Sequence, residues 1–298
     1  MHLTRATPSQ QAARDQLTAQ AWGQGLSTDG FCSRELQLRA HPFAVAALRS
    51  WWWVDDEGAP LASCETFDVE GHVGEVAGVS HLVASVFTEP RLRGQGHAQA
   101  MLRAVLEAAR GPASQAFVLF SEVGAPLYAG LGFLPSPGFD VLVPARLGEA
   151  LPVAGPLSSP APMRGALALR RSPAFVDWQW ERERAYARLL HREPPATSTA
   201  AWDGATIGWT AYFKLNELHV LWLDEAPPTT QRRLLAAAQH AAATSGLPTV
   251  RVWDQRDGAW AQSVSGARVV SRDDEVPMFL PLVPGVERWA PIERATWA

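Results

Sequence analysis

VASVFTEPRLRGQGHAQAMLRAVLEAARG, residues 83–111, is the stretch whose reading decides the fold. It opens as a short apolar strand, passes through a loop rich in Gly and Arg, and becomes an amphipathic helix. After Gly96, the residues Ala98, Met101, Leu102, Val105 and Ala109 recur at three- and four-residue spacing, while Arg103, Glu107 and Arg110 fall on the other side. Gly111-Pro112 ends the helix, because glycine accepts the left-handed cap conformation and proline cannot continue the ladder. Gly94 and Gly96 stand where turn becomes helix, so bare backbone N–H groups can approach a ligand, and the helix dipole adds partial positive charge there. Arg91 and Arg93 flank the turn with planar guanidinium forks suited to phosphate oxygens. The loop is built for an anion.

Arg91-Leu92-Arg93-Gly94-Gln95-Gly96 resembles the acyl-CoA pyrophosphate loop of the GCN5-related N-acetyltransferases, Gln/Arg-x-x-Gly-x-Gly/Ala between a strand and a helix. A second block, QAFVLFSEVGAPLYAGLGF at 115–133, resembles that family's next strand and short helix, closing on Tyr128, Gly132 and Phe133. Over most of the chain the two blocks, followed by a Trp-rich C-terminal region, are similar to the yeast-type lysine N6-acetyltransferases and their bacterial relatives.

The resemblance implies an α/β (α+β) fold with a mixed, mostly antiparallel sheet splayed at an acyl-CoA site. It implies acetyl-CoA as co-substrate, with no metal, and a small primary amine such as lysine as acceptor. Backbone of Val86, Phe87 and Thr88 would meet the pantetheine arm, and amides of Arg93, Gly94, Gln95, Gly96, His97 and Ala98, beside Arg91, the pyrophosphate. Tyr128 matches the position of the family's general acid. For the general base the resemblance offers a region only: His81 on the ligand-binding strand, or Glu122 just after the next strand, which could instead hold the substrate ammonium.

Composition agrees with a folded enzyme and excludes several alternatives. Hydrophobic residues at 47% and charged residues at 19% supply ample core material. A net charge of −4 provides no basic footprint for nucleic acid or an anionic membrane. The 2 cysteines, Cys32 and Cys64, form no metal-ligand spacing and no disulfide framework. With no leader-like apolar run at the start and no stretch of about 20 apolar residues, a cytoplasmic protein is expected. Of 26 basic residues only Lys214 is lysine, so arginine is the habit of this chain and its meaning comes from setting rather than type.

Thr7-Pro8-Ser9-Gln10 reads as a capped helix start, with the helix running to about Trp22. A second helix is expected over 34–39, leaving GQGLSTDGFCSRE as a loop on the acceptor side with Asp29 and Glu35 available to a cation. Residues 50–54 and 60–67 flank a turn and read as an antiparallel hairpin. A tail strand follows Pro135 and Pro137 near 139–143. The Pro/Gly/Ser-rich run from Pro144 to Arg164 marks a boundary, giving a catalytic unit at 1–150, a linker at 151–170 and a C-terminal unit at 171–298. Ser172-Pro173 starts a further helix, whose run Glu181-Arg182-Glu183-Arg184 is expected to be solvated.

Beyond it, strands at 205–213 and 217–223, an Ala-rich helix at 229–245 and a strand at 249–254 echo the order of the first half, as a degenerate copy of the same unit would. Its turn, Glu225-Ala226-Pro227-Pro228-Thr229-Thr230-Gln231, has no glycine, and its prolines lack N–H donors. This copy would have lost CoA and would close the acceptor cleft or pair two subunits as a homodimer. A dinucleotide site is excluded because Gln99 stands where a third small residue is needed and no acidic residue follows at the required distance. The rival from another class is a non-catalytic acyl-CoA sensor or assembly module.

Overall fold

Thr7 and Gln10 form the reciprocal cap that the sequence predicts: the Gln10 amide donates to Thr7 Oγ1 at 3.3 Å and the Thr7 amide to Gln10 Oε1 at 2.8 Å, satisfying two donors that the helix start would otherwise orphan. The computed structural model describes the whole chain except Pro137, Pro156, Ser158, Ala161, Pro162, Arg256, Asp257 and Ala298. Pro137, expected to open the tail strand, and four linker positions (156, 158, 161 and 162) thus lie outside the described residues.

The first half runs β1 (His2–Arg5), α1 (Pro8–Trp22), α2 (Thr28–Ala40), α3 (Pro42–Ala47), β2 (Leu48–Val54), β3 (Pro60–Val73), β4 (Val76–Phe87), α4 (His97–Ala108), β5 (Ser114–Ser121), α5 (Pro126–Ala129), β6 (Leu134–Pro135) and β7 (Phe139–Pro144). α2 starts earlier than expected because Ser27 caps it, its Oγ accepting from the Gly30 amide at 3.1 Å. That turns most of the expected acceptor-side loop into helix. On α4 the predicted stripe is the buried one: Met101, Leu102 and Val105 are inaccessible and pack on Trp51, Cys64, Val83 and Phe117. Burying each is worth about 1.5–3 kcal/mol, which fixes the helix across the sheet.

The second half runs β8 (Ala166–Leu169), α6 (Pro173–Leu189), β9 (Thr199–Trp202), β10 (Ala205–Tyr212), β11 (Glu217–Leu223), α7 (Pro228–Thr244), β12 (Thr249–Asp254), β13 (Arg268–Ser271), β14 (Val276–Pro281), β15 (Arg288–Trp289) and a final 3-10 turn, Arg294–Thr296. One sheet has the order β1-β2-β3-β4-β5-β14-β6, with β8 also beside β3; the other has the order β13-β7-β12-β11-β10-β9. Each contains one parallel pair joined by a helix that crosses over: β4 and β5 through α4, β11 and β12 through α7. The echo in the sequence is a repeat of topology.

Sheet membership crosses the 1–150 and 171–298 division. β14 lies between β5 and β6, with Phe279 opposite Val118; β7 lies between β12 and β13, with Val141 opposite Val252 and Val269. Each half therefore completes the other's sheet. The tail strand read at 139–143 exists, but it serves the second core, where Val141 and Val143 are inaccessible. A two-residue apolar period shows that a strand has a buried face and says nothing of which sheet receives it.

Helix α6 is held between the two sheets. Trp178 packs with Phe43 and Phe67 of the first half and donates from Nε1 to the Leu38 carbonyl at 3.2 Å. The expected solvated run on this helix holds for Glu181 and Arg184, which pair at 2.9 Å with partial exposure. It fails for Arg182 and Glu183, which are buried. Lobe-on-lobe packing covers both faces of the helix, a contact that helical period alone cannot reveal. Among the described residues no helix is long and apolar enough to cross a membrane.

Candidate active site

β4 and β5 stay paired from Val79 opposite Ser114 to Val83 opposite Leu119, and then part. β4 continues to Phe87 against β3 alone, through a bulge where Ser63 and Glu65 shift register. Inside this bulge Ser85 has φ +52°, a left-handed conformation uncommon outside glycine. Its carbonyl accepts from Arg14 Nη2 at 2.7 Å. Past the bulge, Val86, Phe87 and Thr88 line the opened gap, and Thr88 Oγ1 is buried there with no partner among the described residues.

The loop that follows has the geometry of an anion cradle. Gly94 has φ +75° and Gly96, the cap of α4, φ +81°; a Cβ on either would meet nothing within 4 Å. Among the described residues the amides of Gly94, Gln95, Gly96, His97 and Ala98 donate to no acceptor, and they sit at the positive end of a helix of 12 residues. Arg93 and Ala98 line the cavity behind the loop, with the exposed glycines between them. Arg93 Nε donates to the Thr88 carbonyl at 3.1 Å, which ties the loop to the end of β4. Arg91 instead pairs with Glu89 at 2.6 Å, and its side chain is 75% exposed, outside the cavity. Gln95 Nε2 reaches back to the Arg91 carbonyl at 3.4 Å.

The cavity behind the loop has a volume of about 640 Å³ and is walled by both halves of the chain. Tyr128 and Glu122 both line it. Burial pushes the Tyr128 hydroxyl up to about 12, with the Cys64 thiol and the Glu122 carboxylate adding to the rise. Glu122 is exposed on its outer side, yet the wall around its carboxyl raises its pKa by desolvation, and the Glu275 charge adds to this.

His81 is not part of this arrangement. It is buried on β4 before the strands part, outside the cavity, with Nδ1 2.7 Å from Asp68 Oδ1 and Nε2 2.7 Å from Ser114 Oγ. Both ring nitrogens are engaged in tying β3, β4 and the start of β5. Asp29 likewise does not line the cavity, while Glu35 does.

Sequence reasoning missed much of the far wall: Arg34, Arg182, Glu183, Tyr186, Tyr212, Lys214 and Trp297 all line the same cavity. Arg34 pairs with Glu35 at 2.5 Å and Arg182 with Glu183 at 3.3 Å. Burial pushes the Glu35 carboxyl up, against the pull of Arg34, and lowers Arg182 to about 10. The signal that could have found α6 was its pair of adjacent opposite charges inside an aromatic-rich helix.

No curated protein matches the chain in sequence. Residues 158–293 match the family model of the LYC1 GNAT-like C-terminal domain. Over 94% of this chain and 72% of the other, the structure superposes on a GCN5-related N-acetyltransferase from Kribbella flavida, with TM-score 0.55 and 17% identity. The chain has the GCN5-related N-acetyltransferase fold. This fold is shared with a GCN5-related N-acetyltransferase from Anabaena variabilis, at TM-score 0.55 and 14% identity over 93% of this chain and 72% of that one. It is shared too with Eis1 from Mycobacterium abscessus, at TM-score 0.55 and 12% identity over 94% and 73%.

The second lobe differs from the first at the corresponding strand pair and turn. β11 and β12 pair only from Glu217 opposite Thr249 to His219 opposite Arg251 before they part. The 3-10 turn at 294–296 packs beside β11, with Ala295 buried against Leu221 and Trp222. Pro227 caps α7 without a side-chain bond, Pro228 follows it, and neither has an N–H to offer. The 3-10 turn thus covers β11 beyond the residues that pair with β12.

Proposed function

We propose that the protein is an N-acyltransferase that moves the acetyl group of acetyl-CoA to a primary amine of a small molecule such as lysine. The observation that carries this reading is the run of unbonded amides from Gly94 to Ala98, set beside a splayed strand whose gap leads to Tyr128. A diphosphate fits that run: five donors, a helix dipole and two positions without Cβ all point at it. The backbone of Val86–Thr88 and the unpartnered Thr88 hydroxyl would hold the pantetheine arm.

The thioester supplies an activated acyl group, which is joined to the amine nitrogen as a thiol is released. The protein's part is proton management and exclusion of water. Glu122 takes the proton that an alkylammonium, with a pKa of about 10.4, must lose before its lone pair can react. Tyr128 donates its hydroxyl proton toward the leaving sulfur. The burial that raises Tyr128 raises a thiolate in the same place, so donor and acceptor stay matched.

The test is direct. Purified protein is incubated with acetyl-CoA and a panel of amines, with thiol release as readout. Turnover with a small primary amine is expected. Tight acetyl-CoA binding with no turnover on any amine would favour a sensor module instead.

A further inference from the structure

Lys214 is the one lysine of a chain that otherwise uses arginine for its basic residues. It stands in the turn between β10 and β11, where the Leu215 amide donates to the Tyr212 carbonyl and the Asn216 amide to the Phe213 carbonyl, each at 3.2 Å. This turn carries its half-buried side chain to the wall of the cavity that Glu122, Tyr128 and Val86–Thr88 also line. Arg192 ties the turn by donating to Asn216 Oδ1 at 2.9 Å, whereas Lys214 has no ion pair or hydrogen bond among the described residues. Lys214 and Glu122 lie within electrostatic reach of each other, and Glu122 lies within reach of Tyr128. The other basic side chains on this wall are Arg14, Arg34, Arg39, Arg93 and Arg182, whose guanidinium groups stay charged and are not nucleophiles. An alkylamine is one as soon as it has lost its proton. Burial lowers the Lys214 ammonium, with the charges of Arg34 and Arg182 adding to the effect and those of Glu183 and Glu122 opposing it, so the neutral share grows.

We infer that Lys214 is a self-acetylation site: with acetyl-CoA bound and no acceptor in the cavity, Lys214 Nζ takes the acetyl group. The inference rests on the acyl-transfer reading above and adds to it a modification site on the protein itself. The Nζ lone pair attacks the thioester carbonyl carbon, so the N–C bond forms as the C–S bond breaks. The surplus proton on nitrogen passes to Glu122, and the sulfur leaves as the thiol with a proton from Tyr128. Lysine's flexible four-carbon stem lets the amine reach toward the thioester without movement of the turn. The product is an amide, a far weaker acyl donor than a thioester, so the modified side chain is an end point rather than an intermediate in transfer to other amines. It is also neutral, which removes the one basic group of this wall that is not arginine.

The experiment incubates the purified protein with acetyl-CoA alone and follows its intact mass, with peptide fragmentation to place each added group. One acetyl group on Lys214 is expected, gained about 10²-fold faster than any on the amino terminus, because a nucleophile held beside the donor outruns one that must meet it in solution. The Met1 amine is the internal comparison: it pairs with Asp56 at 2.6 Å and lies outside the cavity. Gly96→Val, which blocks the cradle, should slow the gain at Lys214 to the rate of the amino terminus. Lys214→Arg and Lys214→Gln, each checked for native circular dichroism, should gain nothing at this position. Equal rates at Met1 and Lys214, or a rate undiminished in Gly96→Val, would mean that free acetyl-CoA acts on any accessible amine, and overturns the inference. Turnover of added amines with Lys214 left unmodified overturns it and leaves the transferase standing. Cradle-dependent acetylation of Lys214 with no turnover of any added amine keeps the site and removes the small-molecule acceptor. Neither modification nor turnover removes both.

Discussion

Arg14 holds the bulge of Ser85: its Nη2 donates to the Ser85 carbonyl at 2.7 Å, while Nε reaches Ser63 Oγ at 3.0 Å and Nη1 reaches Glu65 at 3.2 Å. One buried guanidinium thus pins both strands of the bulge that starts the ligand gap. Its fork geometry is what lysine lacks.

Arg14→Met should therefore cost about 3–5 kcal/mol of stability, since it leaves Glu65 buried and unpaired. Arg14→Lys keeps the charge and loses the fork, so stability should be largely retained while acetyl-CoA affinity falls about tenfold, the worth of one misplaced hydrogen bond to the gap. Urea unfolding and calorimetry measure the two. Unchanged affinity in Arg14→Lys would separate the bulge from ligand binding.

Gly94→Val and Gly96→Val force a β-branched side chain into φ near +75° and +81°, at a local cost of about 1–2 kcal/mol or more. Both positions are exposed, so the fold should survive. Acetyl-CoA binding should not, because the side chain fills the space in front of the amides. Calorimetry on variants with native circular dichroism decides it, and affinity within threefold of native would remove the cradle.

The first motif was legible because strand, glycine turn and helix are neighbours in sequence and each has its own period or punctuation. Tyr128 was legible for the same reason, as part of a short block ending in Gly132 and Phe133. Arg182, Glu183 and Lys214 were not, since they reach the cavity only through packing of the second lobe on the first. His81 stands on β4 before β4 and β5 part, and a strand position in sequence does not say where along the strand the pairing ends. Its ring turned out to face Asp68 and Ser114.

Tyr128→Phe should lower kcat by about 10²–10⁴-fold, the usual worth of a positioned acid, and leave acetyl-CoA affinity intact. With its hydroxyl pushed up to about 12, Tyr128 stays protonated through the working range, so no loss of rate below about pH 10 should trace to its ionisation. Steady-state rates across pH, native against variant, test both halves of the claim. An alkaline limb below pH 10 that vanishes in Tyr128→Phe would contradict it.

Glu217 and His219 should make stability fall in acid. His219 is buried and held down at about 4 by desolvation, so an unfolded chain binds its proton first, and stability present above about 6.5 is lost as pH falls toward 4. For Glu217, burial opposes ionisation, but hydrogen bonds from His219 and Arg251 outweigh it and hold the carboxyl at about 2. Its contribution is present above about 4.5 and is lost as pH falls toward 2, in total about 2–3 kcal/mol. Urea midpoints against pH should slope across both windows. His219→Gln should flatten the upper window and Glu217→Gln the lower, and a native curve level from 6.5 to 4 would refute the first assignment.

The exchange of β7 and β14 makes neither half self-sufficient. A fragment of residues 1–150 would leave β5 with an open edge from Ala116 to Ser121, where β14 now pairs, and would expose Val141 and Val143 of β7 to water. An open apolar edge recruits other chains. The fragment should aggregate, or remain soluble only without fixed tertiary packing. Appending residues 272–284 through a flexible linker should restore the missing strand and, with it, acetyl-CoA binding, because the cradle and the bulge lie wholly in this half. Size-exclusion chromatography and near-ultraviolet dichroism of the two fragments give the answer. A monomeric, cooperatively unfolding 1–150 fragment that binds acetyl-CoA unaided would show that the exchanged strand is dispensable and that the halves are independent after all.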